Sequence, residues 1–480
     1  METDRLLVGG GKHQSLYSWP AIRDEARAIW AICWKISIAT FCQLSVLTIS
    51  TAFLGHLGTN ELAASALVIS LVGGFRIIYW AFSVSISTLG GQAYGAKNFE
   101  LVGVWLQIGL VVLTPVSAII VFLHLNIRPF LLLMTQDEDL LALAVTFARY
   151  SAWSVWPNAA YEALRGYYKA QEIMTPTAVV DVASLFLALG VNYVCIYGIF
   201  GWPGFGFIGS PIANFIVSVA QPATLWCCAH LLQERSTKTW FGWSWHHCLN
   251  ATRMGQFLSL TGTFFVYLAL DEWVYNVCAI MAANMSNFNV AAYNILFTIW
   301  YLAYGVYIGF STPIQVRVSH ALGANDPAKA KQTSVVGFGL GGIAACLLSV
   351  VMFLFQDALL AVYTSDAALQ ATIRTALVPF CLAAFLSGLH ITLSAMLEAM
   401  SLASMLVLTS CVGSWFVLLP TAYVLAFVAD VGFPGLYWGS VVGESVKLVI
   451  MSVVLVWVYD WEAIAERISN EARSDHEHGV

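Results

Sequence analysis

The chain has 480 residues, 59% of them hydrophobic and 10% charged, and its formal net charge is −6. Soluble domains are about half apolar and about a quarter charged, so this composition excludes a water-soluble surface and indicates a protein solvated by lipid. The basic residues do not cluster, which argues against nucleic-acid binding, and the ten cysteines are scattered without a CxxC pair, as expected of buried apolar side chains.

Twelve apolar stretches, each long enough to cross a bilayer as a helix, follow one another along the chain. In the first half they lie at 28–54, 62–89, 102–124, 140–163, 176–199 and 207–231. In the second half they lie at 256–282, 288–313, 333–355, 372–396, 402–428 and 435–458. The polar N-terminal segment lacks the apolar core of a signal peptide, so the first span is predicted to be a retained membrane helix.

The distribution of lysine and arginine predicts the orientation of these spans. With the N-terminus inside, 16 basic residues fall on inner segments and 5 on outer loops and spans. The five are Arg76, Arg128, Arg149, Arg374 and Lys447. The acidic outer loop TQDEDL (135–140) agrees, so both termini are predicted to face the cytoplasm.

Two glycine-rich polar segments, GGQAYGAKN (90–98) and SHALGANDPAK (319–329), indicate an internal repeat. Gly95 and Gly323 are 228 residues apart, as are Ala63 and Ala291 in ELAASALVIS and NVAAYNILFT. YKAQ (168–171) matches LEAM (397–400) at an offset of 229, and GS recurs at 209–210 and 439–440. A duplicated unit of six spans, 20–232 and 250–460, keeps the same orientation in both copies, which predicts a parallel repeat of the kind found in transporters.

The two GA loops fall at the predicted cytoplasmic turns after the second and eighth spans. Glycine permits a tight turn, so we expect a geometrical role for Gly95 and Gly323. The loop motif also includes polar or small side chains whose role the sequence leaves open. These are Gln92, Ala96 and Ala324.

Several longer segments carry a family resemblance. STAFLGHLGTNELAASALVISLVGG (50–74), continued by GGQAYGAKNFELVGVWLQ (90–107), resembles eukaryotic members of the multidrug and toxic compound extrusion (MATE) family. IQVRVSHALGANDPAKAKQT (314–333) resembles the matching loop of that family's second half, and DEWVYNV (271–277) its seventh helix. VNYVCIYGIFGWPGFGFIGSPIA (191–213) resembles the hairpin of the fifth and sixth helices in bacterial members.

The resemblance implies an all-α membrane protein with twelve transmembrane helices in two pseudo-symmetric six-helix lobes arranged as a V. The expected organisation is an N-terminal tail (1–20), an N-lobe (21–232), a connector (233–252), a C-lobe (253–460) and a C-terminal tail (461–480). Both tails and the connector are expected in the cytoplasm. The resemblance also implies export of organic molecules in exchange for H⁺ or Na⁺, with protons used by most eukaryotic members.

Ionisable groups inside a membrane are costly, and the best candidates for function are Asp271 and Glu272 in the seventh span. Asp271 shares a helix face with Tyr267 and Tyr275 at i−4 and i+4, and Asn276 belongs to the same predicted site. By resemblance, Asp271 takes the place of the family's essential helix-seven carboxylate. Two neighbouring carboxylates oppose each other's ionisation, which suits a proton carrier. A purely structural, hydrogen-bonded role is the alternative for each acid.

Other positions depart from the family pattern. The place of the tenth-helix acid is Ser387, with His390 one turn later, and His390 either titrates or packs as a neutral side chain. The place of the fifth-helix acid of some archaeal members is Asn192, while Asp181 is an acid at another height. Gln43 matches a polar first-helix position of plant members and is expected to line the cavity. Glu398 is interpreted as a loop charge.

Arg76 lies near the middle of the second span, where family members carry small or polar residues. A guanidinium stays charged, so Arg76 needs water, an acid or an anionic ligand. We expect pairing with a carboxylate across the lobes, with Asp271 as the plausible partner, or attraction of an anionic substrate. Contact with lipid headgroups is the third interpretation.

The sequence therefore favours a proton-coupled efflux antiporter, with Na⁺ coupling second and no cofactor or metal. The expected partners are a small organic substrate, cationic or anionic, and the lipid bilayer, with no nucleic acid and a monomeric state. Plasma membrane and the membrane of an acidic internal compartment are both compatible. One alternative is a flippase for lipids or lipid-linked oligosaccharides, which requires a basic cavity. Another is a receptor or membrane enzyme, for which WHHC (245–248) is the only clustered motif.

Overall fold

The structure is a computed structural model that describes residues 18–232 and 238–477. Arg5, Lys12 and Arg235, which enter the orientation count on the inner side, lie outside these ranges. All twelve predicted spans are helical. Their bounds are α1 Trp19–Leu57, α2 59–95, α3 Phe99–Leu125, α4 138–170, α5 Thr175–Tyr197, α6 Gly209–Leu232, α7 Ala251–Met285, α8 Asn287–Gly323, α9 Pro327–Leu354, α10 Ala367–Ala399, α11 Ala403–Val428 and α12 Phe433–Val458. Short helices Arg128–Leu131, Trp245–Cys248 and Gln356–Tyr363 lie in connections, and α13, Trp461–Glu477, follows the last span.

Ten of these helices are long and apolar enough to cross a membrane unaided, and the other two are interrupted. α2 consists of Thr59–Val72 and Phe75–Gly95, which meet at a bend of 46°. α4 consists of Glu138–Ser151 and Val155–Ala170, joined by a 3₁₀ turn at Ala152–Ser154. Its second part carries charged side chains that face the space between the lobes, which lowers its hydropathy. The described residues contain no strand, and the predicted all-α fold with twelve helices is confirmed.

Each lobe has an aromatic core of its own. In the N-lobe, α2, α3 and α4 bury Tyr79, Trp105 and Tyr167. In the C-lobe, α8, α10 and α12 bury Tyr293, Phe380 and Tyr437. Large rings contribute most of the apolar area removed from solvent, so each six-helix unit is held together largely from within.

The backbone shows the duplication that the sequence predicts. The described non-glycine residues with positive φ form three pairs in matching turns of the two halves. They are Lys97 with Asn325, Glu172 with Ser401, and Phe200 with Asp430. Their separations of 228, 229 and 230 residues are the offsets found between the sequence repeats.

The two lobes meet where the GA loops approach each other, on the side of the membrane that we call the GA face (residues 95–99 and 323–327). A Cβ on Gly95 would overlap the carbonyl of His320, and a Cβ on Gly323 would overlap the carbonyl of Gln92. The turns themselves use positive φ at Lys97 and Asn325, so the predicted turn role of the two glycines is wrong. The two glycines are needed because the ends of α2 and α8 cross in close contact, which leaves no room for a side chain.

Side chains near these glycines close the ends of helices in the opposite lobe. Gln92 Nε2 donates to the carbonyl of Ala399 at 2.8 Å, and His320 Nε2 lies 2.7 Å from the carbonyl of Ala170. Gln92 and His320 are equivalent under the 228-residue repeat. Terminal helix carbonyls lack intrahelical partners, so each lobe completes the hydrogen bonding of the other.

The amphipathic helix α13 lies against the GA face and contacts α2 and α3 of the N-lobe as well as α8 and α9 of the C-lobe. Its buried side is formed by Ile464, Ala465 and Ile468. Asn98 caps α3 through its side-chain oxygen, and its Nδ2 donates to the carbonyl of Ala472 at 2.9 Å. The C-terminal segment therefore bridges both lobes.

Candidate functional site

A cavity of about 860 Å³ lies between the lobes. Its walls come from α1, α2, α4 and α6 on one side and from α7, α8 and α10 on the other. This volume is within the range that encloses drug-sized organic molecules. In the direction of the GA face, polar contacts between Ser87, Thr88 and Gln315 join the two lobes.

Asp271 lies in the C-lobe wall, and a lysine from α12 binds it. Lys447 Nζ donates to Asp271 Oδ1 at 2.7 Å and to Glu444 Oε1 at 3.0 Å. The Lys447 side chain is 1% exposed and that of Asp271 is 22% exposed, so the lysine approaches from the lobe interior while the carboxylate reaches the cavity. The expected pairing of Asp271 with Arg76 is therefore wrong in this conformation, because Lys447 occupies that carboxylate.

An unusual stretch of α11 shapes the surroundings of Asp271. Residues Cys411–Leu418 form a π-helix, a rare geometry that concentrates at functional sites. Ser410 and Ser414 each donate to Asp271 Oδ1 at 3.4 Å. Gly413 leaves room for the Lys447 stem, since a Cβ there would overlap its Cγ.

The acid–base cluster continues to the tenth helix. His390 Nδ1 lies 3.2 Å from Glu444 Oε2, and both side chains are almost fully buried. Ser387 lies one turn before His390 and also lines the cavity. Asp271, Lys447, Glu444 and His390 thus form one connected set that reaches from the cavity wall into the C-lobe.

A second polar network lies in the N-lobe wall. Arg165 donates to Gln43 Oε1 at 2.6 Å and to Glu162 Oε1 at 3.1 Å, and Gln43 Nε2 donates to Glu162 Oε1 at 2.7 Å. Asp181 is fully buried behind this network, where it accepts a 2.5 Å hydrogen bond from Tyr161 and lies 3.5 Å from Arg165. Gln43 lines the cavity, whereas Asp181 does not.

The remaining predicted residues separate into two groups. Those that line the cavity are Arg76, Tyr267, Glu272, Tyr275 and Asn276. Asn192 is fully buried, donates to the carbonyl of Ala188 in its own helix and is not among the cavity-lining residues, which include no residue of α5. The loop residues Ala96 and Ala324 cap the ends of α2 and α8.

Sequence reasoning missed Lys447, Glu444, Glu162 and Lys169, and it misread one acid. Glu398 is the last residue but one of α10 and lines the cavity, so its interpretation as a loop charge is wrong. The sequence contains a signal for these residues, because the segments GESVK (443–447) and YEALRGYYKA (161–170) place several charges in apolar spans. The sequence analysis used the two lysines only for orientation and did not consider the two glutamates, although charges inside apolar spans are candidates for function.

The site offers little support for the alternatives to a transporter of organic solutes. Among the described residues, the cavity wall carries four carboxylates against three cations, unlike the basic cavity that a flippase of anionic lipids requires. In the WHHC segment, His247 lies 3.3 Å from Arg253 and 3.9 Å from Glu100. In the part of the chain that the structure describes, no three His, Cys, Asp or Glu side chains are placed to hold a metal ion.

Comparison with known proteins identifies relatives over both lobes. The family model MatE matches residues 36–194 and 264–424. Protein DETOXIFICATION 37 of Arabidopsis thaliana is 26% identical over 439 residues, covering 89% of this chain and 84% of that protein. Multidrug and toxin extrusion protein 1 of Mus musculus is 27% identical over 425 residues, covering 88% of this chain and 73% of that protein.

Solved structures share the fold. The eukaryotic MATE transporter AtDTX14 superposes with a TM-score of 0.85 at 20% identity, covering 94% of this chain and 99% of that one. The MATE transporter VcmN of Vibrio cholerae, in its bent form, superposes with a TM-score of 0.80 at 17% identity, covering 94% of this chain and 99% of that one.

Proposed function

The chain belongs to the MatE family and is a membrane transporter of the multidrug and toxin extrusion kind, and we propose that it exchanges organic substrates for protons at Asp271. The observation that carries the proposal is the cluster of Asp271, Lys447, Glu444 and His390. It combines a carboxylate that reaches the cavity with titratable groups that are shielded from solvent.

The charge balance of the cluster suits uptake of a single proton. With His390 neutral, two carboxylates and one ammonium carry one net negative charge. Adding one proton makes the cluster neutral, whereas a second proton would leave a buried excess charge, which is costly. When the proton is on Asp271, Lys447 keeps Glu444 as its partner, so no buried ammonium is left unpaired.

Binding of a proton and binding of substrate at Asp271 exclude each other, and this exclusion couples proton flow to substrate flow. A cationic group of a substrate is attracted by ionised Asp271 and loses that attraction when Asp271 is protonated. The proton therefore releases the substrate, and departure of the proton restores the binding site. The neighbouring serines stabilise the ionised form, because both donate hydrogen bonds to the same carboxylate oxygen.

Alternating access follows from the separation of the two lobes. The interactions across the lobes that seal the cavity toward the GA face include the ion pair of Arg317 with Glu25. If the GA face is cytoplasmic, as the lysine and arginine distribution predicts, the arrangement corresponds to a state open to the outside. Rocking of the lobes would open the GA face in turn.

The proposal is tested with purified protein in liposomes, using rhodamine 123 as a cationic substrate and an imposed pH gradient. Asp271→Asn keeps the shape of the side chain but cannot be protonated, so proton-driven accumulation should fall to the level of empty liposomes. Asp357→Asn is the matched control, since that carboxylate is exposed on a connecting helix and paired only with Arg374. Proton-driven transport at the wild-type rate in Asp271→Asn, with both variants monodisperse, would refute the role of Asp271.

A further inference from the structure

Four charged side chains line the cavity without a hydrogen bond or ion pair to any described residue. Arg76 and Lys169 come from the N-lobe, and Glu272 and Glu398 come from the C-lobe. The other charged residues of the wall are engaged, since Asp271 is bound by Lys447 and Glu162 by Arg165. The four groups are therefore free to interact with a ligand.

The two unpaired cations lie in the N-lobe wall, and the two unpaired carboxylates lie in the C-lobe wall. Arg76 lies close enough to Glu272 across the cavity to interact electrostatically, and Lys169 does so with Glu398, yet neither pair is within ion-pairing distance. The described C-lobe wall contains three carboxylates and no lysine or arginine. The N-lobe wall carries three cations and one carboxylate. The cavity is thus positive on one side and negative on the other.

Arg76 and Lys169 lie at different heights of the N-lobe wall. Arg76 follows the break of α2 at Gly73–Gly74, which directs the second part of the helix away from the first by 46°. Lys169 lies at the GA end of α4, one residue before Ala170. Aromatic rings line the space between these levels, among them Trp80, Tyr301 and Tyr304. They offer flat apolar surface to a ring system of a ligand.

We propose that the cavity selects organic molecules that carry both a cationic and an anionic group on an aromatic body. The cationic group would lie toward Glu272 and the anionic group toward Arg76, which faces Glu272 across the cavity. A ligand of one charge would remove water from the opposite wall without replacing its interactions, which weakens binding. This inference rests on the proposed function only in taking the same cavity as the substrate site.

Three dyes with one xanthene scaffold separate the charge classes: rhodamine 110 is zwitterionic, rhodamine 123 is its cationic methyl ester, and fluorescein is anionic. Binding is measured by fluorescence anisotropy on purified protein, with no ion gradient. Rhodamine 110 should bind about tenfold tighter than either of the others, as expected for one charged hydrogen bond gained. Arg76→Gln should abolish its advantage over rhodamine 123, and Glu272→Gln its advantage over fluorescein.

Arg374→Gln is the control, because this arginine is exposed outside the cavity and should leave all three affinities unchanged. Equal affinities for the three dyes, tighter binding of either singly charged dye, no binding of rhodamine 110, or a ranking unaffected by Arg76→Gln would each overturn the inference. Failure of the proton mechanism looks different: rhodamine 110 would bind with the expected ranking, while a pH gradient would drive no transport.

Discussion

Glu25 is predicted to hold the two lobes together at the GA face. Its side chain, 2% exposed, accepts two hydrogen bonds from Arg317 at 2.7 and 2.9 Å, one from Lys329 at 2.6 Å and one from Thr333 at 2.9 Å. Glu25 belongs to α1 of the N-lobe, and the three partners belong to α8 and α9 of the C-lobe. Glu25→Gln keeps the size of the side chain and removes its charge.

The free-energy cost of Glu25→Gln depends on the burial of the ion pairs that are lost and on the interactions that Lys329 and Arg317 keep. Breaking a buried ion pair on one side costs about 3–5 kcal/mol. Lys329 is 35% exposed and regains water, and Arg317 keeps Glu172 at 3.2 Å, so about 2 kcal/mol is the better figure here. If the contact exists only while the GA face is closed, opening of that face becomes roughly 30-fold more frequent.

Hydrogen exchange of the backbone amides in the two GA loops measures this opening. In Glu25→Gln, exchange of residues 94–98 and 321–326 should accelerate by about 30-fold. Asp24→Asn is the matched control: the neighbouring carboxylate is 68% exposed and paired only with Arg23, so its loss should change exchange by less than about fivefold. An exchange rate in Glu25→Gln equal to that of the control would refute the reasoning.

Two glycine substitutions test the close contacts, each against an exposed helical glycine with open space around it. Gly413→Ala should displace Lys447 from Asp271 and abolish proton-driven transport, whereas Gly339→Ala should transport normally; normal transport in both would show that the lysine is not needed. Gly323→Ala should separate the crossing helix ends, cost about 1–3 kcal/mol and lower the melting temperature, whereas Gly255→Ala should not; equal melting temperatures would contradict the crossing.

The helices could be predicted because the segments that cross the hydrocarbon layer of the membrane are apolar. The span predicted at 102–124 is Phe99–Leu125, and the one at 435–458 is Phe433–Val458. Prediction was less accurate where a helix leaves the layer. α1 begins nine residues before its predicted start, and this polar extension carries Glu25. The break of α2 also escaped, since paired glycines are common in uninterrupted membrane helices.

The site was only half predictable. Asp271 stood out as an acid in the middle of an apolar helix, and its resemblance to a family position gave it a role. Its partner Lys447 could not be predicted, because it lies 176 residues further along the chain. Only the packing of α12 beside α7 and α11 brings the two side chains together. Pairing across such distances leaves no spacing pattern in one sequence. The charges of α4 were visible, but the lysine and arginine count already explained them.

Proton flux in the absence of sodium tests the central claim most directly. Wild-type protein is placed in sodium-free liposomes that contain the pH indicator pyranine, and a gradient of rhodamine 123 is imposed at equal pH on both sides. Exchange predicts that protons move opposite to the dye and that Asp271→Asn abolishes this movement. Dye transport that moves no protons, or that occurs only after sodium is added, would contradict the account.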